Sequence, residues 1–170
     1  MNQLFYSIPL MFCALKSVHA DGVCQQQYGS LNCGAGTVEN CQGSGLVHLN
    51  GTTVTDTAAL NGQVTISSAR IHLLDSKGDL RVDQSQIEQI KHKGAVTLKN
   101  CQIESIDVHT DRAVIQGGQV QLLVVYVNKT ADVYISDGAA VGRIRFVGGS
   151  GRVHANGGID SSQVDNGQIV

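Results

Sequence analysis

Three consecutive stretches, starting at Val64, Leu80 and Val96, place apolar residues at the same offsets while nearly every other position changes. Counted from each start as zero, offset +2 holds Ile66, Val82 and Leu98, offset +7 holds Ile71, Ile87 and Ile103, and offset +10 holds Leu74, Ile90 and Ile106. Offset +5 is always small: Ala69, Ser85, Cys101. The same opening recurs upstream at Val47 and downstream at Val114, Val133 and Val153, with steps of 17, 16, 16, 18, 19 and 20 residues between successive starts. Self-similarity at such a period marks stacked repeats, each too small to bury its apolar face alone.

Offsets zero and +2 point two side chains to one side of a strand, and the jump to +7 requires a corner. Ser67-Ser68, Asp83-Gln84 and Lys99-Asn100 stand where that corner falls, and such residues hydrogen-bond locally and tolerate tight backbone. An amphipathic helix would instead fill i, i+3, i+4 and i+7, whereas openings such as Val-Thr-Ile and Val-Tyr-Ile are rich in β-branched residues. The pattern therefore predicts an all-β chain wound as a parallel β-solenoid (β-helix) of about seven short coils, each about 4.8 Å above the last. Parallel crossovers favour the right-handed sense. Gly45, Gly62, Gly78, Gly94 and Gly151 each stand two residues before a coil start, and Gly167 stands likewise before Ile169. Stepping by six from Ile66 meets His72 and Gly78, which excludes a left-handed hexapeptide solenoid.

The interior of such a solenoid must be aliphatic, because 42% of the residues are apolar but only 4% aromatic, with no Trp. Twenty Gly against one Pro, with 15% charged residues, suit many close turns. A net charge of −2 argues against nucleic acid or an anionic membrane as partner, since both need a concentrated basic surface.

Residues 1–20 read as a signal peptide: Leu4 to Leu15 is mostly apolar, and Val18-His19-Ala20 offers compact residues before a cleavage point. The run is shorter than the ~20 residues a membrane span needs, and no other segment qualifies. The remaining chain is thus predicted to be exported, to the periplasm, the cell surface or the medium. Residues 21–45 are placed as an N-terminal cap and residues 46–170 as the solenoid. Cys24, Cys33, Cys41 and Cys101 are the disulfide candidates of an oxidising compartment. Cys101 at the small inward corner would be a buried thiol acting as a hydrophobe, leaving three cap cysteines as an odd set; facing outward, it would pair with the cap. The spacing Cys-x8-Cys-x7-Cys lacks the tight pair of a zinc knuckle. A solenoid's ends must be covered or they recruit another molecule, and the polar stretch Gly157 to Ser162 is either a cap or a docking surface.

Stacked coils turn equivalent offsets into columns. At +8 the column is His72, Glu88, Glu104, with neighbours roughly 5 Å apart; it is a candidate metal site or a solvated ladder beside Gln86 and Gln102. Column +11, with Asp75, Lys91 and Asp107, alternates in sign as a stability ladder does, each exposed pair being worth under ~1 kcal/mol. His48, His92, His109 and His154 read as scattered surface residues. Arg143, Arg145 and Arg152, with Tyr134 and Phe146 nearby in sequence, form a candidate binding patch for an anionic glycan. No Ser/His/Asp set, nucleophile elbow or carboxylate pair with a basic partner stands out, and no cofactor is implied. A repeated Thr-x-Thr array, as an ice-binding face would need, is missing.

The openings GSGLVHLNG at 43–51 and GGSGRVHANGG at 148–158, with the short irregular period, resemble bacterial short-coil β-solenoid proteins. Two groups share these features: secreted adhesin-like solenoid domains and, more distantly, bactofilins, which polymerise end to end. The resemblance implies a non-catalytic binding or self-associating module with a glycan or cell-surface ligand, or a second copy, as partner. No functional residue carries over. The rival class is a polysaccharide lyase or hydrolase on a β-helix scaffold, which would show a groove with at least two carboxylates and an Arg or Lys in mutual reach.

Overall fold

A computed structural model describes residues 23–170; the signal-peptide reading of residues 1–20 lies outside them. The chain is an all-β parallel β-solenoid of about eight turns. Its strands run in chain order β1 (Cys24–Gln27), β2 (Ser30–Cys33), β3 (Gly36–Val38), β4 (Cys41–Asn50) and β5 (Thr52–Ser67). They continue with β6 (Arg70–Asp83), β7 (Gln86–Lys93), β8 (Val96–His109), β9 (Arg112–Tyr126) and β10 (Thr130–Ser136). The last are β11 (Ala140–Val147), β12 (Ser150–Ala155), β13 (Val164–Asp165) and β14 (Gly167–Ile169). No helix among the described residues is long and apolar enough to cross a membrane.

Each coil pairs in parallel with the next, so the offsets read from the sequence become rows. Val47, Val64, Leu80 and Val96 lie in one register, and so do Ile71, Ile87 and Ile103. All seven are buried. The corner also falls where expected: Ser68, Gln84 and Asn100 adopt left-handed φ of 51°, 48° and 51°, flanked by Gly51 and Gly117 in the same region. Their strained backbone is locked by axial hydrogen bonds, the Ser68 N–H donating to the Asp83 carbonyl at 3.1 Å and the Gln84 N–H to that of Lys99 at 2.9 Å. Just inside the corner, Ala69, Ser85 and Cys101 are all buried. The glycine seam has a steric cause. A Cβ on Gly78, at φ +113°, would sit 2.2 Å from the Gly62 carbonyl oxygen.

Three features depart from the sequence pattern. The ladder starts a coil earlier than Val47, because Leu31 and Cys33 pair with Val47 and Leu49, Val38 with Val54 and Cys41 with Ala58. Among the described residues, only the antiparallel β1–β2 hairpin lies across the end of the winding. Downstream, Val96 pairs with Ala113 and not with Val114; the coil start is one residue earlier than the aliphatic residue suggested, and Val114 points outward, half-buried. The third is an inward row at offset +12: Gly43, Leu60, Ser76, His92, Val108, Val125 and Phe146 in continuous register. His92 is therefore 3% exposed rather than a surface residue. The two long coils, from Ala113 to Val133 and on to Val153, place extra residues in the turns at Asn128 and Asp137-Gly138.

The two ends taper differently. At the N-terminal end the +12 row closes with Gly43, where a Cβ would meet Leu31 Cδ2 at 2.5 Å. At the C-terminal end Phe146, fully buried, fills the space left by Gly151 and Gly167.

Candidate functional site

The corner turns each coil into a short straight run whose middle residue, Ile71, Ile87, Ile103 or Val120, points inward. The residues on either side must then point out. One column so formed is Arg70, Gln86, Gln102, Gln119; the other is His72, Glu88, Glu104, Gln121. Together with Thr53 and Thr55 they line an open groove of about 520 Å³ that crosses five coils. Its upper end lies at an irregularity of the ladder between Val54 and Thr57.

Hydrogen bonds tie the groove along the axis. His72 Nδ1 donates to Glu88 Oε2 at 2.6 Å, and Gln86 Nε2 donates to Gln102 Oε1 at 3.1 Å. Glu104 stands one coil beyond Glu88, between the pairs Ile87–Ile103 and Gln89–Ser105. The +8 column thus exists, but its ligand atoms do not converge. Among the described residues, the group of three or more whose ligand atoms come together is Cys24, Cys33 and Cys41. Arg70 shares the groove with both carboxylates, yet among the described residues it forms no ion pair with either.

The arginine patch is divided by the fold. Arg143 and Arg145 alternate with inward Ile144 and Phe146 on β11 and both reach Asp165, Arg143 through two bonds of 2.9 and 3.1 Å and Arg145 at 3.4 Å. Arg152 belongs to another wall, where its Nη2 meets Asp132 Oδ2 at 2.8 Å and His154 Nε2 meets Asp132 Oδ1 at 2.8 Å. Tyr134 goes with this second set: its ring stacks on His154 at 4.5 Å, and Arg112 lies over it at 4.9 Å. Each set carries its own carboxylate. Arg152 and then His154 hold Asp132 below the usual carboxylate range, and Arg143 does the same for Asp165. Phe146 is not beside either set but in the core.

A third wall bears Asp75, Lys91 and Asp107 in register, though without an ion pair within 4.0 Å among the described residues. The column beside it, Lys77, Lys93, His109, Tyr126, ends in a His109–Tyr126 stack with ring centroids 4.6 Å apart. Inside that wall Ser76 Oγ lies 2.9 Å from His92 Nδ1, and His92 Nε2 lies 3.0 Å from the Ala95 carbonyl. A carbonyl only accepts, so Nε2 carries the proton and Nδ1 accepts from the Ser76 hydroxyl. Burial lowers the His92 pKa. This pair has the partners of a nucleophile and base but is sealed in the interior, where it holds structure.

Of the four cysteines among the described residues, Cys24 and Cys33 form a disulfide, while Cys41 and Cys101 are free and buried. Cys101 donates to the Lys99 carbonyl at 3.1 Å, taking the inward alternative at the small corner. The residues that sequence reasoning passed over are Arg70, Gln119, Gln121, Asp132, Asp165 and Tyr126. Once the register is known, the first three are the plain continuation of columns already in view; the two aspartates have no signal until the long coils are counted correctly.

Comparison with family models, with curated proteins and with solved structures finds no match to this chain. What is shown of the resemblance read from the sequence is a β-solenoid of about eight turns.

Proposed function

We propose that the protein is an exported, non-catalytic binding module that holds an extended, hydroxyl-rich polymer, a glycan, along the groove of Arg70, Gln86, Gln102 and Gln119. The observation that carries this reading is the groove itself: two parallel columns of amide, carboxylate, imidazole and guanidinium groups on one straight face over five coils. A repeating row of donors and acceptors suits a ligand that itself repeats, and planar amides bind hydroxyls without charge. Export is supported by the apolar leader and by the Cys24–Cys33 disulfide, since such bonds persist in oxidising compartments.

The test is affinity electrophoresis of the protein through gels containing soluble polysaccharides. At least one neutral or acidic polymer should retard it while its monosaccharide does not compete. The double variant Gln102→Ala/Glu104→Ala should lose the retardation, and Lys91→Ala, on another wall, should keep it. Equal migration of all three proteins in every polymer would defeat the reading.

One observation favours a second reading, polysaccharide cleavage: Glu88, Glu104, His72 and Arg70 share the groove. New reducing or unsaturated ends from a retained polymer, abolished by Glu104→Gln, would decide for an enzyme.

A further inference from the structure

At the N-terminal end two inward rows that elsewhere hold aliphatic residues begin with cysteine instead. Cys33 heads the row of Leu49 and Ile66, and Cys41 heads the row of Ala58 and Leu74. They meet across the narrowed coil with their sulfurs 3.8 Å apart. Cys24 folds over them from the hairpin, opposite Cys33 in the antiparallel register, and all three sulfurs lie within 4.8 Å of one another. An odd thiol abutting a disulfide is not required by packing, since Ala58 and Leu74 occupy the same row.

We infer that, once a thiol or phosphine reductant has opened the Cys24–Cys33 bond, Cys24, Cys33 and Cys41 form a three-thiolate site for one soft d¹⁰ cation of the Zn(II), Cd(II) or Cu(I) class. The geometry is close to what such an ion needs. At a Zn–S distance of about 2.3 Å, three sulfurs around one ion stand roughly 3.8 to 4.0 Å apart in tetrahedral or trigonal coordination, and the Cys33–Cys41 pair is already at 3.8 Å. Only Cys24 has to move, and it sits on the terminal hairpin. Soft thiolate sets select these ions over harder ones. The chemistry balances: the reductant gives two electrons, becoming a disulfide or phosphine oxide, the S–S bond becomes two thiols, and the cation then displaces three protons. Burial pushes the Cys41 thiol up to about 11, so it stays protonated near neutral pH without metal; a bound cation deprotonates a coordinating thiol outright. The end of the winding is then clamped in either redox state, by the disulfide when oxidised and by the ion when reduced. This assignment does not rest on the groove.

The experiment uses the full chain carrying Cys13→Ser, so that the thiol outside the described residues contributes nothing. After reduction with a phosphine and removal of the reductant under argon, Cd(II) is titrated while thiolate-to-metal charge-transfer absorption is followed, and affinity is read by competition with a chromophoric chelator. The reduced protein should bind one equivalent. Cys24→Ser, a mild change at a half-buried hairpin residue, should weaken binding by more than about a hundredfold, beyond the roughly 10–100-fold that loss of an outer-shell partner costs. Cys101→Ser should leave it unchanged, and the oxidised protein should show no band. Binding that is absent, equal in Cys24→Ser, equal in the oxidised protein or abolished by Cys101→Ser would overturn the assignment. Circular dichroism of each variant confirms that the solenoid is intact when the comparison is made, and Cys41→Ser provides a second ligand deletion that should behave as Cys24→Ser does.

Discussion

Where Leu60, Val108 and Val125 line the interior, the same row also holds Ser76 and His92, and the pair is tolerable only because every polar atom has a partner. His92 accepts from Ser76 and donates to the Ala95 carbonyl. Ser76→Ala leaves Nδ1 buried and unpaired, which costs about 1–3 kcal/mol; urea denaturation should show that loss. Replacing both partners, as Ser76→Val/His92→Val, restores a fully aliphatic row and should be near neutral or stabilising. The pair also makes stability depend on pH. Burial lowers the folded-state pKa of His92 from the ordinary 6.5, so between that lowered value and 6.5 the unfolded chain binds more protons than the folded one. The His92 contribution is complete above about pH 6.5 and is lost as pH falls through 6.5 toward the folded value. Denaturant midpoints from pH 8 to 5 should therefore decline in the native protein and decline less in the double variant. Equal slopes would show that His92 is not the titrating group.

The corner is the element on which the winding depends, and its residues are unequally suited to it. Asn100 and the glycines at 51 and 117 accept left-handed backbone readily, whereas Gln84 at φ 48° pays a penalty of up to about 1–2 kcal/mol as an ordinary side chain in that region. Gln84→Asn should raise stability by up to about 1 kcal/mol, and Gln84→Val should lower it by more, since a branched Cβ is worse still. The seam behaves oppositely. Gly78→Ala drives a Cβ to 2.2 Å from the Gly62 carbonyl and breaks the spacing of two coils, so a loss exceeding about 2 kcal/mol is expected from thermal unfolding. Coils at this scale were legible because packing dictates them: the rows at +2, +7 and +10 must stay aliphatic, and corner and seam restrict backbone. What was hidden had specific causes. The +12 row escaped notice because Gly43, Ser76 and His92 break its apolar run. Val114 misled by one residue because a small Ala113 faces the core and the larger valine faces out, and in a strand a one-residue slip exchanges the faces. Of the candidate groove, the His72, Glu88, Glu104 column was readable from offsets, but which polar atoms converge depends on rotamers that no offset encodes. The division of the arginine patch was hidden for a related reason, its members being close in sequence but separated by a corner.

At the scale of the whole molecule, parallel stacking supplies every interior coil with two neighbours and leaves the end coils with one, so the ends decide whether the solenoid stays separate. Over the last described coil the strands are short. β13 pairs with Ile144 and Arg145, β14 with Gly151 to Val153, Gln163 Nε2 donates to the Val141 carbonyl at 3.0 Å, and Asn166 Nδ2 to that of Phe146 at 3.1 Å. Beneath them lies the Phe146 ring, against which any Cβ on Gly167 would press at 2.6 Å. Deleting residues 161–170 uncovers this ring together with Ile144 and Val153, and it frees the axial backbone groups of two strands. Exposing one fully buried phenylalanine forfeits roughly 1.5–3 kcal/mol, and an unpaired parallel edge offers a template for another chain. The truncated protein should therefore grow in apparent mass with concentration in static light scattering, while the native chain at the same concentrations grows less. Introducing a charge on the newly open row, as Val153→Lys in the truncated chain, should reverse that growth by placing an ammonium where a second copy would stack. If truncation leaves the scattering of the native chain unchanged, the last coil does not act as a cap.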